Sequence, residues 1–210
     1  MKLLIVSATP AEIEPLTRFL AEREDLQEGV NVVISGVGMV ATAFSMGTEL
    51  ALARYDLAVN AGIAGAFDKS LPLGTVLQVK EDCFSELGAE DDTAFITLDD
   101  LGFGKSTERP LAFGLSEGRL SSLPEVSAIT VNRVHGWETS IRSIKERLKP
   151  DIESMEGAAF FYSCRVKGVP SLQLRAVSNY VERRNRAAWN IPLAIRNLNE
   201  ELIELVKRML

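Results

Sequence analysis

Short apolar runs alternate with amphipathic stretches along most of this 210-residue chain. Mostly apolar runs predict strands at residues 2–7, 30–34, 56–60, 73–79, 94–98, 127–131, 152–154 and 171–177, the first two of them buried. Apolar positions at helical spacing predict helices from Pro10 onward and at 39–53, 137–148, 156–167 and 193–209. Strands that alternate with helices predict one α/β domain over residues 1–210, a mixed sheet flanked by helices on both faces.

The first predicted helix carries a clear start signal. Thr9 suits the N-cap position, Pro10 the first helical position and Glu12 the third, as in a capping box. Glu12 therefore has an ordinary structural explanation. It also follows the first strand, where a carboxylate at the carboxyl edge of a sheet could act on a water. The spacing leaves both interpretations open.

Residues 81–124 depart from the alternating pattern. Glycine, serine and acidic residues are mixed there with isolated phenylalanines. We expect loops and a lid in this segment rather than a second domain.

Composition excludes several classes of protein. Lys and Arg number 23 against 29 Asp and Glu, a net charge of −6, which argues against a nucleic-acid binder. No apolar run approaches the roughly 20 residues of a membrane span, and the first run is too short for a signal peptide. The unclustered Cys83 and Cys164 and a single histidine predict a reduced, cytoplasmic chain without a zinc site.

A glycine motif admits a second class of function. Gly36 and Gly38 open a G-x-G-x-x-A run after the second strand, and Asp56 lies downstream, as in a dinucleotide-binding fingerprint. This would suit an NAD-dependent oxidoreductase. The motif follows the second strand rather than the first, and we favour the plainer interpretation of a tight turn with close helix packing.

The segment from 151 to 190 is the most informative. Met155 and Glu156 start a helix, and Asn179 follows the next strand, both at points where an α/β sheet opens toward a ligand. A carboxylate and an amide there suit sugar hydroxyls and a purine edge. Each also has a structural explanation: Met155 as core, Glu156 on a helix dipole, Asn179 as a turn residue. The solitary His135 has no assigned role.

Five pieces of sequence occur together in this chain. They are the strand end with Glu12, S-G-V-G at 35–38, N-A-G-I-A-G at 60–65, S-M-E-G-A-A at 154–159, and the segment 178–195. In order and spacing they resemble the nucleoside phosphorylase/nucleosidase superfamily, and most of all its futalosine hydrolases of menaquinone biosynthesis. Only residues 81–125 lack a matching motif.

The resemblance implies hydrolysis of the N-glycosidic bond of futalosine, with release of hypoxanthine. It implies that Glu12 activates the attacking water and that Asn179 contacts the leaving purine. Substrate-binding residues implied in the same way are Ile63, Ala64, Met155 and Glu156. It further implies a homo-oligomer, a dimer or tetramer, that needs no metal or organic cofactor.

Departures from the relatives refine this expectation. Asn60 and Ile63 stand where many phosphorylases carry an arginine and a small hydroxyl residue, so water is favoured over phosphate as the nucleophile. Asn179 stands where adenine-specific relatives have Asp, which favours hypoxanthine as the base. The alternatives are another purine nucleosidase, for methylthioadenosine, S-adenosylhomocysteine or inosine, and a non-catalytic nucleoside-binding protein.

Futalosine carries an aryl carboxylate on its 5′ arm, which calls for an apolar slot and a cation. Candidates for the slot are Phe84, Phe103 and Phe113. Candidates for the cation are Arg183, Arg184 and Arg186, or an arginine of a neighbouring subunit.

Overall fold

The computed structural model of the chain describes residues 1–113 and 122–210. Its helices are α1 (Pro10–Ala21), α2 (Glu24–Gln27), α3 (Met39–Leu52), α4 (Glu138–Leu148), α5 (Gly157–Lys167) and α6 (Ile191–Met209). Its strands are β1 (Leu3–Ser7), β2 (Val30–Ile34), β3 (Leu57–Ala66), β4 (Val76–Phe84), β5 (Gly88–Asp91), β6 (Ala94–Thr97), β7 (Thr107–Glu108), β8 (Glu125–Thr130), β9 (Ile152–Ser154) and β10 (Ser171–Tyr180).

The described residues form a mixed sheet, as the sequence predicted. Its order is β10-β4-β8-β9-β3-β1-β2, with β7 attached to β4 and a further pairing between β10 and β3. That pairing closes β3, β9, β8, β4 and β10 into a ring, and β1 and β2 extend the sheet outward from β3. Strands β2, β1, β3 and β10 run parallel, so their carboxyl ends share one edge.

Helices cover both faces of the sheet. On β1, Leu3 and Ile5 belong to a core cluster with residues of α1 and α6, such as Leu16 and Leu202. The alternate residue Leu4 belongs to a second cluster with residues of α3 and α5. Both clusters follow from the period-two alternation of a strand. A fully buried leucine contributes about 1.5–3 kcal/mol, so these two layers hold the sheet rigid beneath its carboxyl edge.

Several predicted boundaries are wrong. β3 does not end at residue 60 but continues to Ala66, and β10 continues to Tyr180, because the two strands pair along their whole lengths. β4 begins at Val76 rather than at residue 73. β2, predicted as buried, is a half-buried edge strand.

The middle segment is more regular than predicted. β4 continues to Phe84, and β5 and β6 pair as an antiparallel hairpin. Residues 114–121, within the expected lid, lie outside the described residues. Across the described ranges, no helix is both long enough and apolar enough to cross a membrane.

Candidate active site

The Glu12 carboxylate lies at the carboxyl edge of the sheet. Thr9 caps the helix start, with its N–H and hydroxyl donating to Glu12 Oε2 at 3.0 and 2.9 Å. The other oxygen, Oε1, accepts the N–H of Ile63 on β3 at 3.1 Å. Glu12 is only 8% exposed. It is therefore both a capping residue and a carboxylate held against β3, and the two interpretations that the sequence left open are compatible.

A buried arginine joins Glu12 to the second candidate carboxylate. Arg175 on β10 is 1% exposed, and its Nη2 hydrogen-bonds to Asn60 and lies 3.6 Å from Glu156 Oε2. A Cβ built on Gly62 would lie 2.3 Å from Arg175 Nη1 and 2.8 Å from Glu12 Oε1. Arg175 and Glu12 therefore both border the space left by the missing side chain of Gly62, and the same guanidinium pairs with Glu156.

This arginine corrects one expectation. The sequence predicted no cation at the position of Asn60, yet Arg175 supplies one from another strand. Its single positive charge faces two carboxylates, Glu12 and Glu156. A cluster of one cation and two carboxylates repels a phosphate anion. The preference for water as the nucleophile therefore rests on this charge balance and not on the absence of a cation.

Glu156 is positioned by the glycine motif. It is the N-cap residue of α5 and is 5% exposed. Its Oε1 accepts the N–H of Gly38 at 3.1 Å, and its Oε2 accepts the N–H of Met155 at 3.3 Å. Gly38 has a φ of 96°, a conformation that favours glycine, so the motif serves to present an N–H to Glu156.

The dinucleotide interpretation of that motif is wrong. Asp56 precedes β3 and accepts the N–H of Lys2, which precedes the parallel strand β1. Asp56 therefore lies at the amino edge of the sheet, whereas Gly36 and Gly38 follow β2 at the carboxyl edge. An acidic residue at the opposite edge cannot bind the ribose of a dinucleotide held by these glycines.

A further buried carboxyl group lies near Arg175. Asp82 on β4 accepts hydrogen bonds from Thr130 Oγ1 at 2.8 Å and from Gln173 Nε2 at 2.9 Å. Thr130 in turn accepts the N–H of Ala158 in the first turn of α5. Burial raises the pKa of Asp82 to about 6, although these bonds and the charge of Arg175 act in the opposite direction. This network ties the helix that begins at Glu156 to the sheet.

Asn179 lies in a β-bulge near the end of β10. Val177 pairs with Ala64 and Asn179 with Gly65, so Ser178 is the extra residue. Ser178 donates its hydroxyl to Asn179 Oδ1 at 2.8 Å, and Asn179 Nδ2 donates to the Tyr180 carbonyl at 3.1 Å. These bonds assign the amide orientation and leave Nδ2 a proton for a ligand.

Asn179 and the carboxylates approach the same end of β3 from different sides. Glu12 contacts Ile63, and Asn179 pairs with Gly65 two residues further along. Asn179 lines a cavity of about 110 Å³ together with residues that include Gly65, His135, Arg184 and Trp189. The cavity lining does not include Glu12 or Glu156. Glu12 and Asn179 meet β3 two residues apart, whereas Glu156 pairs with Arg175 of β10, and the three side chains do not together line that cavity.

The other predicted binding residues differ in exposure. Met155 is half-buried and packs against a core cluster around Phe67. Ile63 is half-buried. Ala64 is 4% exposed and belongs to the core, and its carbonyl lies 3.2 Å from the Ser178 hydroxyl oxygen. Ala64 therefore supports the bulge that carries Asn179.

Two of the candidates for the slot of the 5′ arm, Phe103 and Phe113, do not line the cavity of Asn179. Phe103 is 78% exposed, and Phe113 lines a cavity with Leu57 and Leu172 at the amino ends of β3 and β10. Arg184 lies 5.3 Å from the Trp189 ring at the cavity of Asn179.

A larger cavity of about 930 Å³ lies against α4, and its lining includes none of the candidate carboxylates. Among the described residues, no three potential metal ligands cluster.

Sequence reasoning missed Arg175 and Asp82. A signal was present for Arg175, because Gln173 and Arg175 alternate with leucines in a strand predicted to be covered by helices. Two polar residues on one face of such a strand must find buried partners. Asp82 gave no comparable signal, since it lies in the segment that was expected to be loops.

Comparisons with known proteins agree with this geometry. The family model described as the phosphorylase superfamily matches residues 2–210. The chain belongs to the phosphorylase superfamily. A futalosine hydrolase of Streptomyces coelicolor is 32% identical to this chain over 208 residues. The match covers 96% of this chain and 88% of the relative. A 5′-methylthioadenosine/S-adenosylhomocysteine nucleosidase of Haemophilus influenzae is 28% identical over 239 residues, covering all of both chains.

A solved structure shows the same fold in this superfamily. Futalosine hydrolase of Helicobacter pylori strain 26695 superposes with a TM-score of 0.77 at 13% identity, covering 99% of this chain and 98% of the other. The predicted mixed α/β sheet with helices on both faces is confirmed.

Proposed function

We propose that this chain is a nucleosidase that hydrolyses the N-glycosidic bond of futalosine, releasing hypoxanthine, and so acts in menaquinone biosynthesis. The decisive observation is the cluster of Glu12, Arg175 and Glu156 at the carboxyl edge of the sheet, with the oriented Asn179 amide opposite Gly65, two residues beyond Ile63 on β3. The 32% identity to a futalosine hydrolase supports this substrate. The functional unit is one domain over residues 1–210.

Glu12 is the general base. It takes a proton from a water at C1′ of the ribose as the C1′–O bond forms and the bond from C1′ to the base breaks. A positioned general base contributes about 10²–10⁴ in rate. Arg175 pairs with Glu156 at 3.6 Å and lies across Gly62 from Glu12, so it links the two ends of this cluster.

Glu156 binds the ribose hydroxyls, with Met155 packed beside the sugar. Its negative charge favours the oxocarbenium-like transition state. Ile63 and Ala64 form the floor beneath the sugar. This geometry needs no metal or organic cofactor.

Asn179 stabilises the leaving base. Ser178 occupies its Oδ1, so Nδ2 remains as a donor to N7 or O6 of hypoxanthine. The amide cannot transfer a proton, and it therefore suits a 6-oxopurine better than a 6-aminopurine.

The enzyme is a homo-oligomer that forms through the start of α3. Val37, Val40 and Phe44 are 57, 79 and 77% exposed there, next to Gly38 at the candidate site. Covering apolar side chains of this size favours association with a second copy. We place the enzyme in the cytoplasm, since Cys83 and Cys164 are both free thiols.

A methylthioadenosine/S-adenosylhomocysteine nucleosidase is the second candidate, because a nucleosidase of that type is 28% identical over its whole length. Asn179 separates the two, since it cannot protonate the adenine of such substrates.

Chromatography of the free base released from futalosine, inosine and methylthioadenosine tests both candidates. We expect hypoxanthine from futalosine at the same rate with and without inorganic phosphate. Release that requires phosphate would identify a phosphorylase, and preferential release of adenine would favour the second candidate.

A further inference from the structure

A buried polar network packs against the first turn of α5. Its centre is the side chain of Asp82 on β4, which is fully buried. A Cβ built on Gly157 would lie 2.0 Å from Asp82 Oδ2, and 2.4 and 2.5 Å from the two amide atoms of Gln173. Gly157 directly follows Glu156 in the chain. Asp82 therefore approaches the backbone next to the carboxylate that we assign to the ribose.

Two branches of hydrogen bonds leave the Asp82 carboxyl group. Its Oδ1 accepts the Thr130 hydroxyl, whose oxygen accepts the Ala158 N–H, both at 2.8 Å. Its Oδ2 accepts Gln173 Nε2 at 2.9 Å. Gln173 lies two residues before Arg175 on β10, so their side chains share one face of the strand. One branch holds the start of α5, and the other holds the strand that carries Arg175.

The charge of Asp82 acts on the same two residues. Burial raises the pKa of Asp82 to about 6, its two hydrogen bonds and the charge of Arg175 act against that rise, and the charge of Glu156 adds to it. Further titratable groups near Asp82 belong to its own strand, to β7 and to the partner of β7 on α5: Cys83, Glu108 and Arg165. Since Arg165 already pairs with Glu108, the charges left to interact with Asp82 are those of Arg175 and Glu156.

We propose that Asp82 is a positioning residue for the hydrolysis, whose ionised form holds Arg175 back from Glu156 and keeps the Glu156 carboxylate available to the ribose hydroxyls. This inference rests on the proposed nucleosidase function. Arg175 Nη2 lies 3.6 Å from Glu156 Oε2, longer than the roughly 2.7–2.9 Å of a charge-assisted hydrogen bond. A guanidinium that is attracted by two anions binds each of them less closely, so loss of the Asp82 charge lets it move onto Glu156.

The neutral form of Asp82 weakens the reaction in two ways. A closer ion pair between Arg175 and Glu156 competes with the ribose hydroxyls for Oε2, which raises KM. The same ion pair compensates the negative charge that stabilises the oxocarbenium-like transition state, which lowers kcat. Because Asp82 is fully buried, it acts through these two residues and not by contact with the substrate.

The first test is Asp82→Asn, which removes the charge and keeps the shape. The new amide oxygen can accept the Thr130 hydroxyl. Gln173 can turn its amide so that Oε1, which has no hydrogen-bond partner among the described residues, accepts the new amide N–H. At pH 8 we expect kcat/KM for futalosine to fall roughly 10- to 100-fold, because the carboxylates are misplaced. The melting temperature should not fall, since the variant buries one charge fewer.

The pH profile separates this role from a purely structural one. In the wild type, Asp82 takes up its proton as pH falls through about 6, whereas Asp82→Asn has no group there to titrate. Glu12 and Glu156 are present in both chains, so the difference between the two profiles isolates Asp82. The ratio of kcat/KM between wild type and variant should shrink at least about fivefold from pH 8 to pH 5. A ratio that is constant with pH would overturn the proposal.

Two changes at Thr130 separate the hydrogen bond from the charge. Thr130→Val leaves the Ala158 N–H without its acceptor, and we expect kcat/KM to fall roughly 10-fold while the fall in rate at low pH remains. Thr130→Ser keeps the hydroxyl and should restore the wild-type rate. Asp91→Asn, an exposed change on β5, is the control and should alter neither rate nor profile. Equal rates in Thr130→Val and Thr130→Ser would contradict the link to α5.

Crystal structures of wild type and Asp82→Asn at pH 8 give a measurement that does not depend on the substrate. We expect the separation of Arg175 Nη2 from Glu156 Oε2 to shorten to about 2.8 Å in the variant. If the wild type cleaves another nucleoside and not futalosine, the proposed substrate fails and the same rates on that nucleoside test Asp82. If it cleaves none, the separation alone decides. An unchanged separation with an unchanged pH dependence would overturn the role of Asp82 while leaving a futalosine hydrolase intact.

Discussion

The guanidinium of Arg175 connects the polar residues of the site. It is 1% exposed, binds Asn60 and Glu156, and lies beside Glu12 across Gly62. Taking such a charge out of water costs several kcal/mol, and its polar partners offset that cost. The residue therefore ties β10 to Asn60 on β3 and to Glu156 at the start of α5.

Glu12→Gln tests the general base at this scale. The amide preserves the shape and can still accept the Ile63 N–H, but it cannot take a proton from water. We expect kcat for futalosine to fall about 10²–10⁴-fold with little change in the melting temperature. Glu14→Gln, two residues along on the exposed side of α1, is the control. A near-normal rate in Glu12→Gln would leave Glu12 with its capping role alone.

Asp82 makes a prediction about pH and stability. Because its pKa in the folded chain is raised to about 6 from an ordinary 3.8, the folded state holds the proton more tightly. Below about pH 4, Asp82 is protonated in both the folded and the unfolded chain, so it adds no dependence of stability on pH. As pH rises from about 4 toward about 6, the free energy of unfolding falls.

Asp82→Asn should remove that slope. As pH rises from about 4 to about 6, the unfolding free energy of the variant relative to that of wild type should increase by up to about 3 kcal/mol. Urea unfolding at several pH values measures it, with the exposed Asp91→Asn as control. Parallel pH curves for wild type and Asp82→Asn would show that the pKa of Asp82 is the same in the folded and unfolded chains, and would contradict the raised pKa.

At the scale of the element, two strand details position the site. β3 continues past residue 60 through small residues, so other side chains can approach its backbone closely. β10 contains the bulge at Ser178, which turns Asn179 out of the regular alternation. The sequence predicted both strands but ended each too early, because the glycines and the polar residues at their ends resemble loop signals.

Gly62→Ala tests the close approach on β3. The added methyl group would collide with Arg175 Nη1 and Glu12 Oε1, so we expect activity to fall at least about 10-fold as the pair is pushed apart. Gly47→Ala on α3 is the matched control, since its Cβ meets nothing within 4 Å. That variant should be stabilised by about 0.5–1 kcal/mol and keep full activity. Calorimetric melting measures the stability of the two variants, and steady-state rates measure their activity. Unaltered kinetics in Gly62→Ala would contradict the close approach.

At the scale of the whole molecule, the closed ring of strands gathers residues that are distant in sequence. Glu12, Glu156 and Arg175 come from α1, the start of α5 and β10, and they meet only because β10 pairs with β3. The exposed apolar side chains of α3 lie next to this place. The proposed association and the candidate active site therefore share one region of the surface.

Phe44→Glu tests the proposed association. A charge in place of a side chain that is 77% exposed should leave the monomer folded and convert the oligomer to monomer. Phe103→Glu, at a similarly exposed 78% on another surface, should keep the wild-type assembly. Sedimentation equilibrium decides the matter, and an unchanged mass for Phe44→Glu would place the interface elsewhere.

The sequence by itself determined the layered α/β architecture, the helix start at Thr9, and the candidates Glu12, Glu156 and Asn179, because periodicity, capping and turn chemistry act over a few neighbouring residues. Only the tertiary structure decided that Arg175 links the carboxylates, that Asp82 anchors α5, and that Glu153 holds His135 beside Asn179. These contacts join residues far apart in the chain. They depend on strand register, ring closure and a bulge, which hydrophobic spacing does not encode.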